Sequence, residues 1–179
     1  TIHMEDTVTS PPSGVVVIPS KPILNKKRNP DGSIEKYKCR VTARGDRQSE
    51  DSYDAIFSPV AGDSALYILL NIALQLDMHL KQVDVKTAFL NSQLDQEIWI
   101  SLPVGFDLPW LREIRSSMGG GADCSKMLAK PVKKYARLWK ALYGLKQANL
   151  LWYKLQNKFI LEFDSRFVRS SMDACLYII

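Results

Sequence analysis

Lys81-Gln82-Val83-Asp84-Val85-Lys86-Thr87-Ala88-Phe89-Leu90-Asn91 follows a long apolar segment, and its alternation predicts a strand. Val83 and Val85 alternate with Gln82, Asp84 and Lys86, so Asp84 falls on the face opposite the valines. A carboxylate on a stiff strand suits metal holding, because the ladder fixes its position. An Asp near a strand end is more often a solvated or capping residue, and spacing alone does not make it a metal ligand.

Working outward, residues 65–76 place Leu66, Ile68, Leu69, Leu70, Ile72, Leu74 and Leu76 on nearly every face of a helix, with Asp63 or Ser64 as its N-cap. A helix apolar all round is expected to be buried. Upstream, Asn29-Pro30-Asp31-Gly32 is a turn: Pro30 presets φ and Gly32 accepts φ > 0. After it, Tyr37, Cys39, Val41 and Ala43 alternate with Lys36, Lys38, Arg40 and Arg44, which predicts a hairpin with one basic face. Such a face either keeps an edge strand soluble or meets phosphates. Val15 to Ile18 predicts a short strand, and residues 1–13 read as a disordered tail.

Downstream, Ser92 to Gln96 reads as a polar break before a strand over residues 97–102. Residues 107–133 read as a flexible insertion; Gly119-Gly120-Gly121 lacks the Lys and Ser/Thr of a phosphate loop. Residues 139–160 show helical spacing, with Leu151, Leu155 and Phe159 recurring every four residues. Ahead of them stands the compact cluster Leu142-Tyr143-Gly144-Leu145-Lys146-Gln147. Residues 174–179 read as a buried strand. Interleaved strands and helices predict an α+β domain with a mostly antiparallel sheet backed by helices.

The 179 residues carry a net charge of +5, which permits an anionic partner without requiring one. Cys39, Cys124 and Cys175 are far apart, with no CxxC pair and no His cluster, which argues against a zinc site or a disulfide framework. They read as reduced, intracellular thiols. No apolar signal core and no run of membrane-spanning length is present, so the expected setting is intracellular, with no membrane partner.

Four ordered blocks together resemble the reverse transcriptase of copia-type LTR retrotransposons: the basic hairpin with KYKCRVTARGDRQ, QVDVKTAFLN, LWKALYGLKQA, and the last strand preceded by Met172-Asp173-Ala174-Cys175. FSPVA fits the same family's opening segment. The resemblance covers residues 21–179 apart from the insertion, with residues 1–20 as tail or linker. It implies a partial fingers-and-palm polymerase fold and RNA-directed DNA synthesis by two-metal nucleotidyl transfer. It implies Mg²⁺ or Mn²⁺ as cofactor, and dNTPs, an RNA or DNA primer–template and the rest of a retrotransposon polyprotein as partners.

By position, the resemblance makes Asp84 the catalytic metal ligand, assisted by the Val85 carbonyl. Lys86 and the backbone N–H groups of Thr87 and Ala88 meet the triphosphate, and Phe89 lies under the sugar as a gate against a 2′-hydroxyl. Lys38 or Arg40 reaches the triphosphate from the fingers, and Tyr143 and Gly144 bracket the nucleotide. Lys26, Lys27, Arg28, Lys36 and Arg44 are the nucleic-acid contacts. The sequence departs from the family where it ends before a tyrosine-any-Asp-Asp motif, at Asn149-Leu150 in place of Pro-Arg, at Pro22 in place of an aromatic and at Asp46 in place of Phe. The expectation is a polymerase segment inactive alone. The alternative is a non-catalytic nucleic-acid-binding remnant of a degenerate transposon polyprotein.

Overall fold

The computed structural model describes residues 7–103 and 133–179. The expected insertion over 107–133, with its glycine triplet and Cys124, lies outside these residues except for Lys133, as does the first half of the expected tail. Strand β1 (Val16–Arg28) is followed by β2 (Ile34–Ala43), helix α1 (Asp63–Gln75), β3 (Gln93–Ser101), β4 (Tyr135–Lys140), helix α2 (Ala148–Phe163), and the two-residue strands β5 (Val168–Arg169) and β6 (Tyr177–Ile178). Four strands form one sheet in the order β2-β1-β3-β4, and β5 and β6 form a second. In the larger sheet β1 and β3 run parallel, and the other two pairs are antiparallel. The fold is therefore α+β with a mostly antiparallel mixed sheet and two helices.

β1 changes partner along its length. Val16 to Pro19 pair with β3, and Ser20 to Arg28 pair with β2. The strand runs on through Pro19 and Pro22, where the sequence reading stopped it at Ile18. Pro19 is paired only with β3 and Pro22 only with β2, and along a stretch paired on one side alternate N–H groups face away from the partner, so a proline can be absorbed. The arm turns at 29–32 as expected: Gly32 takes φ +85° and donates to the Asn29 carbonyl at 2.9 Å.

The core lies where β1, β3 and β4 meet the start of α2. Ile18, Ile98, Ile100, Leu138, Leu142, Leu145 and Leu151 are buried there. Residues 92–96, expected as a break, belong mostly to β3: Gln93 pairs with Lys140, with an irregularity before Ile98. Trp139, expected in the helix, lies in β4, and α2 begins only at Ala148. The apolar stripe of α2 has the expected spacing, but only its first turns are covered. Leu151 is buried while Phe159 is 64% exposed.

Three expectations are corrected. Residues 81–85 form no strand, because no described strand runs beside them; the chain instead turns at Thr87 into a 3-10 turn over Ala88–Asn91. α1 is not buried: Ala73 is its sole buried residue, and Leu74 is 82% exposed. The C-terminal hairpin faces it across a cleft, with Ile68, Leu69 and Ile72 on one side and Met172 and Leu176 on the other. The C-terminal strand shrinks to Tyr177–Ile178, and Ile178 is exposed. Apolar composition records what a segment would gain from burial, not whether a covering layer is present.

α1 starts two residues earlier than expected, at Asp63 rather than Ala65, with Gly62 as its N-cap and no side-chain cap of its own. Asp173 takes that role from the far end of the chain. Its carboxylate accepts from the Gly62 N–H at 2.9 Å and the Cys175 N–H at 2.7 Å. These two donors, Gly62 first, hold the Asp173 carboxyl below its ordinary value of 3.8. A folded value below the unfolded one means a contribution present above pH 3.8 and lost as pH falls through the lower folded value. Asp173→Asn is therefore expected to flatten the acid limb of stability against pH, measured by urea melts between pH 6 and pH 2.5. An unchanged acid limb would show that the tether carries no weight.

Candidate nucleotide-binding site

The end of β2 meets the cluster at 143–147. The Ala43 N–H donates to the Tyr143 carbonyl at 2.8 Å. Gly144 takes φ +91°, and a Cβ there would run into the Ala43 carbonyl. A Cβ on Gly45 would run into the Gly144 carbonyl in turn. Two glycines thus let two backbones touch where no larger residue fits. This contact explains Gly144 without any ligand.

Beside it lies a buried polar knot. Gln48, Ser52 and Gln147 are all under 5% exposed. Gln48 Nε2 donates to Gln147 Oε1 at 2.8 Å, and Gln147 Nε2 donates to the Ser52 carbonyl at 3.3 Å. The Lys146 N–H donates to Gln48 Oε1 at 3.1 Å, and Lys146 Nζ reaches the Tyr53 hydroxyl at 3.0 Å. The amides are thereby satisfied, as buried amides must be. Sequence reasoning gave Gln48, Ser52 and Gln147 no role of their own. Nothing local marks a glutamine whose partner lies 99 positions away.

On the other side of Tyr143 stands Phe89. The rings meet edge to face, 4.9 Å between centroids and 65° between planes. Phe89 gets there through Thr87, which takes φ +51°, after which Leu90 N–H closes the turn on the Thr87 carbonyl at 2.9 Å. A left-handed threonine costs roughly 1–2 kcal/mol and needs support from its surroundings. Asn91 Nδ2 supplies some, donating to the Thr87 and Ala88 carbonyls at 3.3 Å each. Phe89 also walls a cleft with Ile56, Phe57, Val60, Asn149 and Trp152.

Asp84 and Lys86 are exposed on the approach to this turn, and none of the described residues pairs with Asp84. Val83 and Val85 line a separate apolar groove with Trp152, Leu155 and Phe159 of α2. Among the described residues no group of three or more His, Cys, Asp or Glu could hold a metal ion. One carboxylate is a poor cage for Mg²⁺, which needs several well-placed oxygens. Asp84 and the Val85 carbonyl therefore do not make a two-ion site by themselves.

The register of the arm sorts its cations. Lys27 lies opposite Lys36, Asn25 opposite Lys38, and Ile23 opposite Arg40. Residues paired across strands share a face, so Lys27, Lys36, Lys38 and Arg40 stand together. Arg40 first, then partial burial and the charges of Lys27 and Lys36, push the Lys38 ammonium below its ordinary value. Three other basic residues of the same region are engaged otherwise. Lys26 lies over the Tyr37 ring on the opposite face at 5.9 Å, Arg28 donates to the Gly32 carbonyl at 2.7 Å, and Arg44 pairs with Asp46 at 2.6 Å. Asp46, where the sequence departs from the family, thus occupies the Arg44 guanidinium.

Residues 5–112 match the model of the family described as reverse transcriptase (RNA-dependent DNA polymerase). The chain belongs to the reverse transcriptase family. The chain is 33% identical over 179 residues to the retrovirus-related Pol polyproteins from transposons RE1 and RE2 of Arabidopsis thaliana, covering 99% of the chain. It is 31% identical over 167 residues to the corresponding polyprotein from transposon TNT 1-94 of Nicotiana tabacum, covering 93% of the chain. In each case it spans 11% of the relative's length. No solved structure matches it. No helix among the described residues is long and apolar enough to cross a membrane.

Proposed function

We propose that the chain supplies the nucleotide-holding part of an RNA-directed DNA polymerase within a transposon Pol polyprotein, in a fingers-and-palm arrangement. The observation that carries this is the edge-to-face contact of Phe89 with Tyr143. It unites the QVDVKTAFLN and LYGLKQA blocks, which the sequence keeps far apart, at one wall of a cleft. An aromatic wall with a cation-bearing strand anchored to its rim suits a nucleoside triphosphate: an apolar floor for the sugar and base, and positive charge for the phosphates.

In this reading Lys38 and Arg40 take the triphosphate, helped by Lys86 and the N–H groups of Thr87 and Ala88. Phe89 lies under the sugar, and Tyr143 and Gly144 flank the nucleotide. Reverse transcriptases as a family use divalent metal ions, and Asp84 with the Val85 carbonyl is the place on this chain for one, Mg²⁺ or Mn²⁺. The donors that complete such a site are not among the described residues. Lys27 and Lys36 extend the same cationic face toward an RNA or DNA primer–template, and the remainder of the polyprotein is the natural protein partner.

Phe89 provides the test. A flat ring against the sugar leaves no room for a 2′-hydroxyl and offers it no hydrogen bond. The chain is expected to bind dGTP about tenfold more tightly than GTP, a modest steric discrimination. Phe89→Ala is expected to bring the two affinities together, as read by isothermal titration. Equal affinities in the unsubstituted chain would sink the assignment.

A further inference from the structure

The contact between the two backbones at Ala43, Gly45, Tyr143 and Gly144 is a single point, about which the two segments could pivot. The Gln48/Gln147 bond, with the Lys146 N–H to Gln48 Oε1 and Gln147 Nε2 to Ser52 carbonyl bonds that the same two side chains make, is a second anchor, and it is directional where an apolar pair would let the segments slide. Two anchors at different places remove the pivot. One of the anchored segments carries Lys38 and Arg40 on β2; the other carries Tyr143, whose ring braces Phe89.

From this we propose that Gln48 and Gln147 are positioning residues: their buried pair sets the spacing between the cationic strand and the Phe89/Tyr143 wall, so that a nucleoside triphosphate is gripped at both ends at once. This rests on the nucleotide-binding reading above. Neither glutamine touches the ligand. Their effect falls only on a ligand long enough to span both halves of the grip.

That condition supplies the experiment. Inorganic tripolyphosphate carries the charge of a nucleotide's phosphates and none of its sugar or base. Affinities for dGTP and for tripolyphosphate are measured by titration calorimetry in EDTA, so that metal plays no part. Gln147→Met keeps the side chain's length and removes the bond, and Gln48→Met removes it from the other end. Each is expected to weaken dGTP about tenfold and leave tripolyphosphate unchanged, the size of effect that a lost buried hydrogen bond transmits. The double variant is expected to lose less than the sum of the two single losses, because both remove the shared bond while each also loses one of its own, Gln48 the Lys146 N–H and Gln147 the Ser52 carbonyl.

If the unsubstituted chain bound both ligands equally, the two-ended grip itself would fail and take the positioning role with it. If dGTP were favoured but the variants kept that preference, the grip would stand and the role of the glutamines would fall. Equal weakening of both ligands, or loss of the circular-dichroism signal in both single variants, would mean that the pair merely holds the fold, and would equally overturn the proposal.

Discussion

Gly144→Ala is expected to cost at least about 3 kcal/mol of stability, combining strained backbone with overpacking. Gly144 sits at φ +91°, outside the region where L side chains rest. The added methyl would also meet the Ala43 carbonyl, a backbone atom held by its own ladder. Neither strain is relieved by a rotamer change. Gly45→Ala meets the Gly144 carbonyl and is expected to cost somewhat less, because its own φ is ordinary. A loss this large is a sizeable share of the whole stability of a domain. Equilibrium urea denaturation of both variants checks it. A Gly144→Ala midpoint unchanged from the parent would mean that the two segments do not touch as described.

The second large effect lies on the arm. Removing Lys36, Lys38 and Arg40 together by alanine substitution is expected to weaken binding of an RNA–DNA duplex at least a hundredfold at low salt and to lower the log–log salt slope by about two to three. These three share a face, Lys36 there also meeting Glu35 at 3.6 Å, whereas Lys26 lies on the opposite face and Arg28 and Arg44 are held by the Gly32 carbonyl and Asp46. Alanine at Lys26 and Arg44 is therefore expected to change the slope by much less. The triple variant is not expected to be less stable, since Lys38 is crowded by like charges. Filter binding across a salt series separates the outcomes. Equal losses in the two sets would mean that net charge matters and the face does not.

Some of this was legible in the residues. The 29–32 turn declares itself by Pro30 and Gly32, and the basic strand by its alternation, because both signals are local. The spacing of Leu151, Leu155 and Phe159 gave α2 its face. What failed were statements about neighbours. Val83 and Val85 alternate like a strand, but alternation does not supply a ladder partner, and the segment lies against α2 instead. α1 reads as a buried helix because its apolar residues surround it, yet little among the described residues covers it. The identity of the candidate site came from ordered motifs. Its internal mechanics did not: Gly45, Gln48, Ser52 and Gln147 acquire meaning only when two distant loops meet.

The proposed hold on a nucleotide can be read residue by residue. A ¹⁵N-labelled sample titrated with dGTP and Mg²⁺ is expected to shift the amides of Lys38, Arg40, Thr87, Ala88, Phe89, Tyr143 and Gly144 together, with one saturation curve. Shifts confined to α1 or the C-terminal hairpin, or none at all at millimolar dGTP, would contradict the assignment of this cleft.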